Sequence, residues 1–324
     1  MDFQPTRDQR DLRAGVRELL ARRYGREALR AAVESGTAVD RDLWRELGAA
    51  GFFALRLPEA EGGVGLGLPE AALLFEEAGR ALLPGPLVAT HLAAGVVPGA
   101  AAGTAVVTAF DLGELGDLGD LGGRGGRGGL GGRGGSLVAY LGEADAVLGA
   151  PLLPSGEPVR SADPLTPLHR VASAGDVSAY RETGALLTAA LQLGSALRTV
   201  ELAVRYAGER EQFGQPIGAF QAVKHLCAGM LVRAEVARTA VYAAAVTADA
   251  GEIAAAKLLA DEAAVGNARD CLQVYGGMGF TWEADVHLHL KRAWVRAEQW
   301  RTAAEAEELL AAELLLSATG PDAR

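Results

Sequence analysis

The sequence predicts a mostly α-helical protein whose C-terminal half is a four-helix bundle. Three observations carry this. Alanine and leucine dominate a chain of 324 residues in which aromatics are only 6%, and those two residue types lead the helix-propensity ranking. Near the N-terminus, Leu12, Val16, Leu19 and Leu20 recur at i, i+4, i+7 and i+8, one face of a helix. From Asp176 onward, long apolar stretches are separated only by short Gly- or Pro-containing breaks, so successive helices must pack as antiparallel neighbours.

The elements follow in order. Residues 5–23 read as an amphipathic helix, with Thr6 as N-cap and Gln9 at the capping-box spacing. Residues 40–50 give a short helix striped by Leu43, Trp44 and Leu47 and stopped by Gly51. Residues 56–67 are a Gly-rich loop, residues 69–82 a helix broken by Leu83-Pro-Gly-Pro, and residues 87–97 a further short helix. An N-terminal helical domain over 1–100 results. The expected long helices of the C-terminal bundle, 176–324, cover 180–208, 220–250, 253–276 and 283–316, the last with room for a kink. They are Ala-rich on nearly every face, which implies burial against further chains as well as against each other.

Between these halves, 101–175 reads as a reduced β-rich middle domain. Thr104-Ala-Val-Val-Thr and Ser136-Leu-Val-Ala-Tyr-Leu are its β-like runs. They flank a low-complexity Gly-rich stretch, 111–135, with a three-residue period, first Asp/Glu-Leu-Gly and then Gly-Arg-Gly. Half glycine, it has too little to bury to offset the entropy of ordering and reads as a mobile surface loop. Its three arginines without interleaved aromatics also leave an RNA-binding Arg-Gly tract as the sharper alternative.

Composition narrows the function. A formal net charge of -10 is unsuited to coating nucleic acid. Hydrophobic residues at 49% supply an ample core. Cys227 and Cys271, the two cysteines, sit in apolar helical patterns and read as buried free thiols. The start of the chain lacks a basic n-region and an apolar h-region. No apolar run reaches the roughly 18 residues of a membrane span. A soluble cytoplasmic protein is the expectation.

Chemistry concentrates in three blocks. Arg210-Glu-Gln-Phe-Gly-Gln-Pro-Ile-Gly-Ala-Phe-Gln221 is a short connection between two helices. Gly and Pro serve the turn. An arginine beside an aromatic serves a planar or anionic ligand, the guanidinium fork being suited to phosphate oxygens. The bland alternative is an Arg210 that pairs with a carboxylate and caps a helix. Gln273-Val-Tyr-Gly-Gly-Met-Gly-Phe-Thr-Trp-Glu283 carries glycines that allow close backbone approach, or that merely end a helix. Pro58-Glu-Ala-Glu-Gly-Gly-Val-Gly65, followed by Phe75-Glu-Glu-Ala-Gly-Arg-Ala-Leu-Leu-Pro-Gly-Pro86, is the third. His287 and His289, at i and i+2, do not share a helix face, and His225 alone reads as an interface histidine.

Together, in this order and spacing, the three blocks resemble the acyl-CoA dehydrogenase family. They match its Arg-Glu-x-Phe-Gly-x-Pro-Ile-x-x-Phe-Gln, Gln-x-x-Gly-Gly-x-Gly-Phe-Thr-x-Glu and Pro-Glu-x-x-Gly-Gly-x-Gly segments. The resemblance implies an N-terminal helical domain, a β-rich middle domain and a four-helix bundle. It also implies FAD as cofactor, an acyl-CoA or related acyl thioester as substrate, a homo- or hetero-oligomer, and an electron-transferring flavoprotein as electron acceptor. By the same resemblance Arg210, Gln212 and Phe213 reach the flavin of a neighbouring subunit, and Gln221 lies near its adenosine. Gln273, Gly276 and Gly277 would hold its ADP part.

The resemblance has two gaps. Family members take the substrate α-proton with a carboxylate, for which a desolvated glutamate is well suited. One of its two places is a Glu-Gly-Thr loop after the last motif, where this chain has Ala297-Glu-Gln-Trp-Arg301. The other is early in the first bundle helix and falls on Gly184. Glu298 is the leading candidate base and Glu182 a distant one, each weighed against a solvated helix glutamate. The family's Thr-Glu-Pro-x-x-Gly-Ser-Asp flavin segment has no match in 101–175. Two readings therefore stand: an FAD-dependent enzyme that α,β-dehydrogenates an acyl thioester, or a catalytically silent subunit that completes a paralogue's FAD site. A stand-alone binding protein is a third.

Overall fold

The structure, a computed structural model, describes residues 5–36, 38–114 and 135–318. Most of the Gly-rich repeat, 115–134, lies outside the described residues. The N-terminal helices are α1 (Arg7–Arg23), α2 (Arg26–Ser35), α3 (Arg41–Ala49), α4 (Leu68–Arg80) and α5 (Leu87–Leu92). The capping box opening α1 forms as expected. The Gln9 amide donates to Thr6 Oγ1 at 3.2 Å and the Thr6 amide to Gln9 Oε1 at 2.8 Å. Helix α2 has no counterpart in the sequence reading, because its apolar stripe reduces to Leu29 and Val33. It is held from outside, by Arg26 and Arg30 on Asp285. The expected helix 87–97 stops at Leu92 and continues as turns.

Two strands fall on the expected β-like runs, whereas 112–114, at the start of the stretch read as a mobile loop, is also a strand. Strand β1 (Val107–Ala109) pairs in parallel with β4 (Ala146–Leu148). The other four, β2 (Leu112–Glu114), β3 (Ser136–Ala139), β5 (Gly156–Val159) and β6 (Leu168–Val171), form an antiparallel sheet in the order β2-β3-β6-β5.

The bundle comprises α6 (Arg181–Glu209), α7 (Gln221–Thr247), α8 (Ala250–Tyr275), α9 (Val286–Ala297) and α10 (Ala303–Ala318). Between α6 and α7 runs a hairpin of β7 (Glu211–Gln212) and β8 (Gln215–Pro216). One expectation is corrected here: 283–316 is two helices, not one. The residues at the break are good helix formers, so propensity does not explain it. Tertiary structure does. The Trp300 amide donates to the Asp111 carbonyl at 2.6 Å, Gln299 bridges to Leu112, and Trp300 takes a left-handed φ of 63°. A sheet edge thus captures the backbone that would have continued the helix.

Helix α6 is buried on nearly every side, from Gly184 to Ala203. It crosses α4 at contact distance because glycines face each other's backbone. A Cβ at Gly194 would fall 1.9 Å from the Glu76 carbonyl oxygen, and one at Gly79 2.0 Å from that of Leu191. Buried amides tie α6 to its other neighbours. Gln192 donates to Asp261 on α8 and to the Ala293 carbonyl on α9, both at 2.9 Å. Asn267 donates to the Met230 and Ala196 carbonyls of α7 and α6. Helix α1 docks on α4 through Arg13 and Arg17, which grip Glu76 and Glu77. Burial alone would raise Glu77, but the two guanidinium groups hold its carboxyl below the usual range.

Gly194→Ala should destabilise the protein by about 1–3 kcal/mol, since a carbonyl oxygen rather than a flexible side chain must move. A lowered Tm in thermal unfolding checks this. An unchanged Tm would show that α4 and α6 do not meet so closely.

Candidate functional site

The motif residues gather at one end of the bundle. Arg210 is the C-terminal cap of α6 through its backbone, and its side chain is exposed. Among the described residues its guanidinium has no carboxylate partner, so the bland ion-pair reading of the sequence finds no support. Phe213 and Gly214 form the two-residue turn of the hairpin with φ of 54° and 78°. Both values suit a type I′ turn, which glycine accepts freely and a phenylalanine adopts only under constraint. The phenyl ring stands 92% exposed and meets the Phe220 ring edge-on, with centroids 6.0 Å apart. Gln212 lies on the hairpin, its amide donating to the Glu211 carbonyl, and Gln221 begins α7; both are exposed.

The second motif ends α8. Gln273, Gly276 and Gly277 are exposed, and a Cβ at either glycine would meet nothing within 4 Å. Open backbone of this kind has room for a ligand that lies against it. Phe280 and Trp282 stand beside it, 75% and 60% exposed. Tyr206 of α6 stacks on Tyr275 of α8 with ring centroids 4.0 Å apart, and this joins the two motifs. The sequence reading did not single out that pair. Tyr206 four residues before Arg210, and Tyr275 inside the second motif, were the available signal.

The two expected base positions lie at the other end. Glu298 is exposed at the end of α9, near the first turns of α8, where Lys257 donates to the Arg296 and Ala297 carbonyls. Glu182 accepts from the buried Arg301 and is therefore occupied by a cation. The places that counting assigned to a base, Gly184 and Trp300, touch each other. A Cβ on Gly184 would lie 2.2 Å from the Trp300 ring. The buried indole thus fills the space over the α6 backbone. The structure does not bring Glu298 together with Arg210, Gln273 or the glycines.

A carboxylate the sequence reading missed lies beside that indole. Asp111 opens the Gly-rich repeat and reads in sequence as its first acidic unit. In the fold its Oδ2 accepts from Gln299 at 2.8 Å, while Oδ1 is shielded without a partner. Burial pushes the carboxyl up to about 7. His91, His287 and His289 shift the other way, burial lowering them to about 4, 4 and 3. His289 bonds Ser195 at 2.8 Å, a core role. Cys271 is buried and Cys227 half-buried, both free. Among the described residues no cluster of three or more His, Cys, Asp or Glu could hold a metal ion, and no helix is long and apolar enough to cross a membrane.

A helical N-terminal unit, a small sheet and a bundle with motifs at a helix–hairpin–helix corner define the acyl-CoA dehydrogenase class. The family model for the acyl-CoA dehydrogenase N-terminal domain matches residues 6–109, and that for the C-terminal domain matches 182–304. The chain is 35% identical over 310 residues to acyl-CoA dehydrogenase IpdE2 of Mycobacterium tuberculosis, covering 89% of this chain and 92% of that one. It is 36% identical to acyl-CoA dehydrogenase FadE34 of the same organism, over 80% of this chain and 40% of the relative. Among solved structures, the ChsE4-ChsE5 complex from Mycobacterium tuberculosis superposes with a TM-score of 0.80 at 25% identity, covering 99% of this chain and 100% of that one. The Tcur3481-Tcur3483 steroid ACAD G363A variant gives 0.80 at 26%, covering 97% and 99%. The chain belongs to the acyl-CoA dehydrogenase family.

Asp111 titrates near 7 in the fold against an ordinary value of 3.8. Its protonated form is the one the fold favours, so its cost is absent below about pH 4, grows as pH rises, and is complete above about pH 7. Asp111→Asn should therefore gain stability relative to the parent between pH 4 and 7, and the difference should level off above. Urea midpoints across that range measure it. A pH-independent difference would count against the buried, unpaired carboxyl.

Proposed function

We propose that this chain completes the FAD site of a partner acyl-CoA dehydrogenase subunit and does not dehydrogenate an acyl thioester by itself. One observation carries the reading. The residues that by family resemblance serve a neighbour's flavin are exposed and gathered at one end, whereas the two family base positions hold Gly184 and Trp300, packed on each other.

The exposed residues fit a dinucleotide held from outside. Arg210 offers to the pyrophosphate an exposed guanidinium that has no carboxylate partner among the described residues. Phe213, Gln212 and Gln221 offer a ring and amides to the adenosine side. Gln273 and the open backbone of Gly276–Gly277 accept the ADP part at close approach. Bound FAD supplies hydride acceptance in the α,β-dehydrogenation of an acyl-CoA, and the partner would provide the base. The chain's own contribution is to bind and orient. Arg210 brings local positive charge to a protein of net charge -10. The half-exposed Leu231, Val232 and Val236 of α7 suit packing against a partner's helices. That solved relatives include the ChsE4-ChsE5 complex further supports a hetero-oligomer with a paralogue. An electron-transferring flavoprotein is the expected acceptor.

The visible spectrum is the test. Purified alone, the chain should be colourless; co-expressed with a family paralogue, the assembly should carry stoichiometric FAD and bleach on adding acyl-CoA. A chain that is yellow alone and bleaches with acyl-CoA would be an enzyme in its own right, and the proposal would fall. In the assembly, Arg210→Ala should weaken flavin binding roughly tenfold or more, the worth of a charge-assisted hydrogen bond. Unchanged flavin affinity would remove Arg210 from the site.

A further inference from the structure

A small chamber lies inside the protein, away from the flavin motifs. It has a volume of about 30 Å³ and is walled by α5, the segment after β3, α6, α9 and Trp300. Two arginines one helical turn apart on α9, Arg292 and Arg296, line it, 2% and 3% exposed. Like charges at i and i+4 repel even on a surface. Buried, each charge is costly unless an anion offsets it.

Arg292 has its anion. Its Nε donates to Asp163, a carboxylate further held by Thr166 Oγ1 at 2.6 Å and the Leu165 amide at 3.1 Å. Its Nη1 reaches the Leu83 carbonyl at 3.3 Å, and its Nη2 is shielded without a partner. Arg296 has no carboxylate among the described residues. It makes one long bond, Nη1 to the Leu191 carbonyl at 3.4 Å. Burial and the neighbouring Arg292 lower its pKa to about 9, so it stays cationic at neutral pH.

The remaining polar groups on the wall do not restore neutrality. Tyr140 shares a hydrogen bond with Thr166 at 3.1 Å, and burial raises its pKa, so it is neutral. Thr108 donates to the Ala139 carbonyl, and Thr188 is uncharged. Asp111 also lines the chamber, but its carboxyl is bound by Gln299 at 2.8 Å and not by either arginine. The wall therefore holds a buried Arg296 with no carboxylate partner among the described residues, an orphan guanidinium donor on Arg292 and an orphan carboxyl oxygen on Asp111. Its volume is that of one or two waters, enough for an ion of similar size.

We propose that this chamber binds one small monovalent anion, a halide or a one-carbon carboxylate, between Arg292 and Arg296. The anion neutralises Arg296 and accepts from the free Nη2 of Arg292. It stabilises the junction of α9 with α5 and α6. This site is independent of the flavin motifs and stands whether or not the partner-subunit reading holds.

Thermal unfolding of the purified chain tests it, in sodium chloride, bromide or formate against sodium gluconate at equal ionic strength. Gluconate is too large for 30 Å³. The small anions should raise Tm saturably, by a few degrees above gluconate. Halide and formate responses distinguish the two occupants. Arg296→Met, which replaces the uncompensated charge by an apolar chain of similar length, should abolish the anion-specific rise. Equal Tm in all four salts, or an undiminished rise in Arg296→Met, overturns the proposal. Should the variant not fold, bromide-soaked crystals of the parent decide. An anomalous peak in the chamber supports the site, and its absence at saturating bromide refutes it.

Discussion

The close crossing of α4 and α6 is the constraint on which the rest of the structure depends. Gly79 and Gly194 let each helix rest on the other's backbone carbonyls, at distances no Cβ permits. With α6 seated there, its remaining faces are covered by α7, α8 and α9, and the buried amides of Gln192 and Asn267 fix their register. The same crossing places Glu76 and Glu77 where Arg13 and Arg17 of α1 reach them. Tyr242 of α7 joins them by donating to Glu76 at 2.7 Å. Burial raises the carboxyl of Glu76, while arginines hold that of Glu77 low, so two adjacent side chains answer one desolvated surface in opposite ways.

Once α6 is fixed, the two ends of the bundle differ in kind. At its C-terminal end the chain leaves the helix in a tight hairpin, and stacked Tyr206 and Tyr275 hold that corner against the end of α8. What faces outward is polar, aromatic or bare backbone, with little internal bonding to satisfy it. At the N-terminal end the opposite holds. Trp300 lies on Gly184, Arg301 occupies Glu182, and Asp111 takes the backbone of the α9–α10 break. Groups there are desolvated and bonded inward. An open end suited to a ligand and a sealed end opposite it are one consequence of a single packed helix.

The small sheet matters chiefly through that seal. Residues just before β2 give Asp111 to the break, and β3 leads into Tyr140 above the buried arginines. Charges that a surface would screen persist here in low dielectric, where each needs a specific partner. The Asp163–Arg292 pair links the sheet region to α9 by such a partnership.

The sequence by itself determined the helices and the motif blocks. Period 3.6, the Thr6–Gln9 capping box and the Gly- and Pro-containing breaks are local signals, and α1, α3, α4, α6, α7 and α8 follow them closely. The position of Arg210, Phe213 and Gln221 at one corner was legible too, since a short connection keeps them together. Helix α2 was not, because a single buried leucine makes no stripe and Asp285, which holds it, lies far along the chain. Neither was the break at Trp300, where helix-forming residues yield to a hydrogen bond from a strand edge almost two hundred positions away. Asp111 looked like one more acidic unit of a repeat. Only the tertiary structure made it a buried carboxyl, set an indole over Gly184 and left Arg296 without a carboxylate among the described residues. Burial and pairing belong to the three-dimensional neighbours of a residue, and no local pattern encodes them.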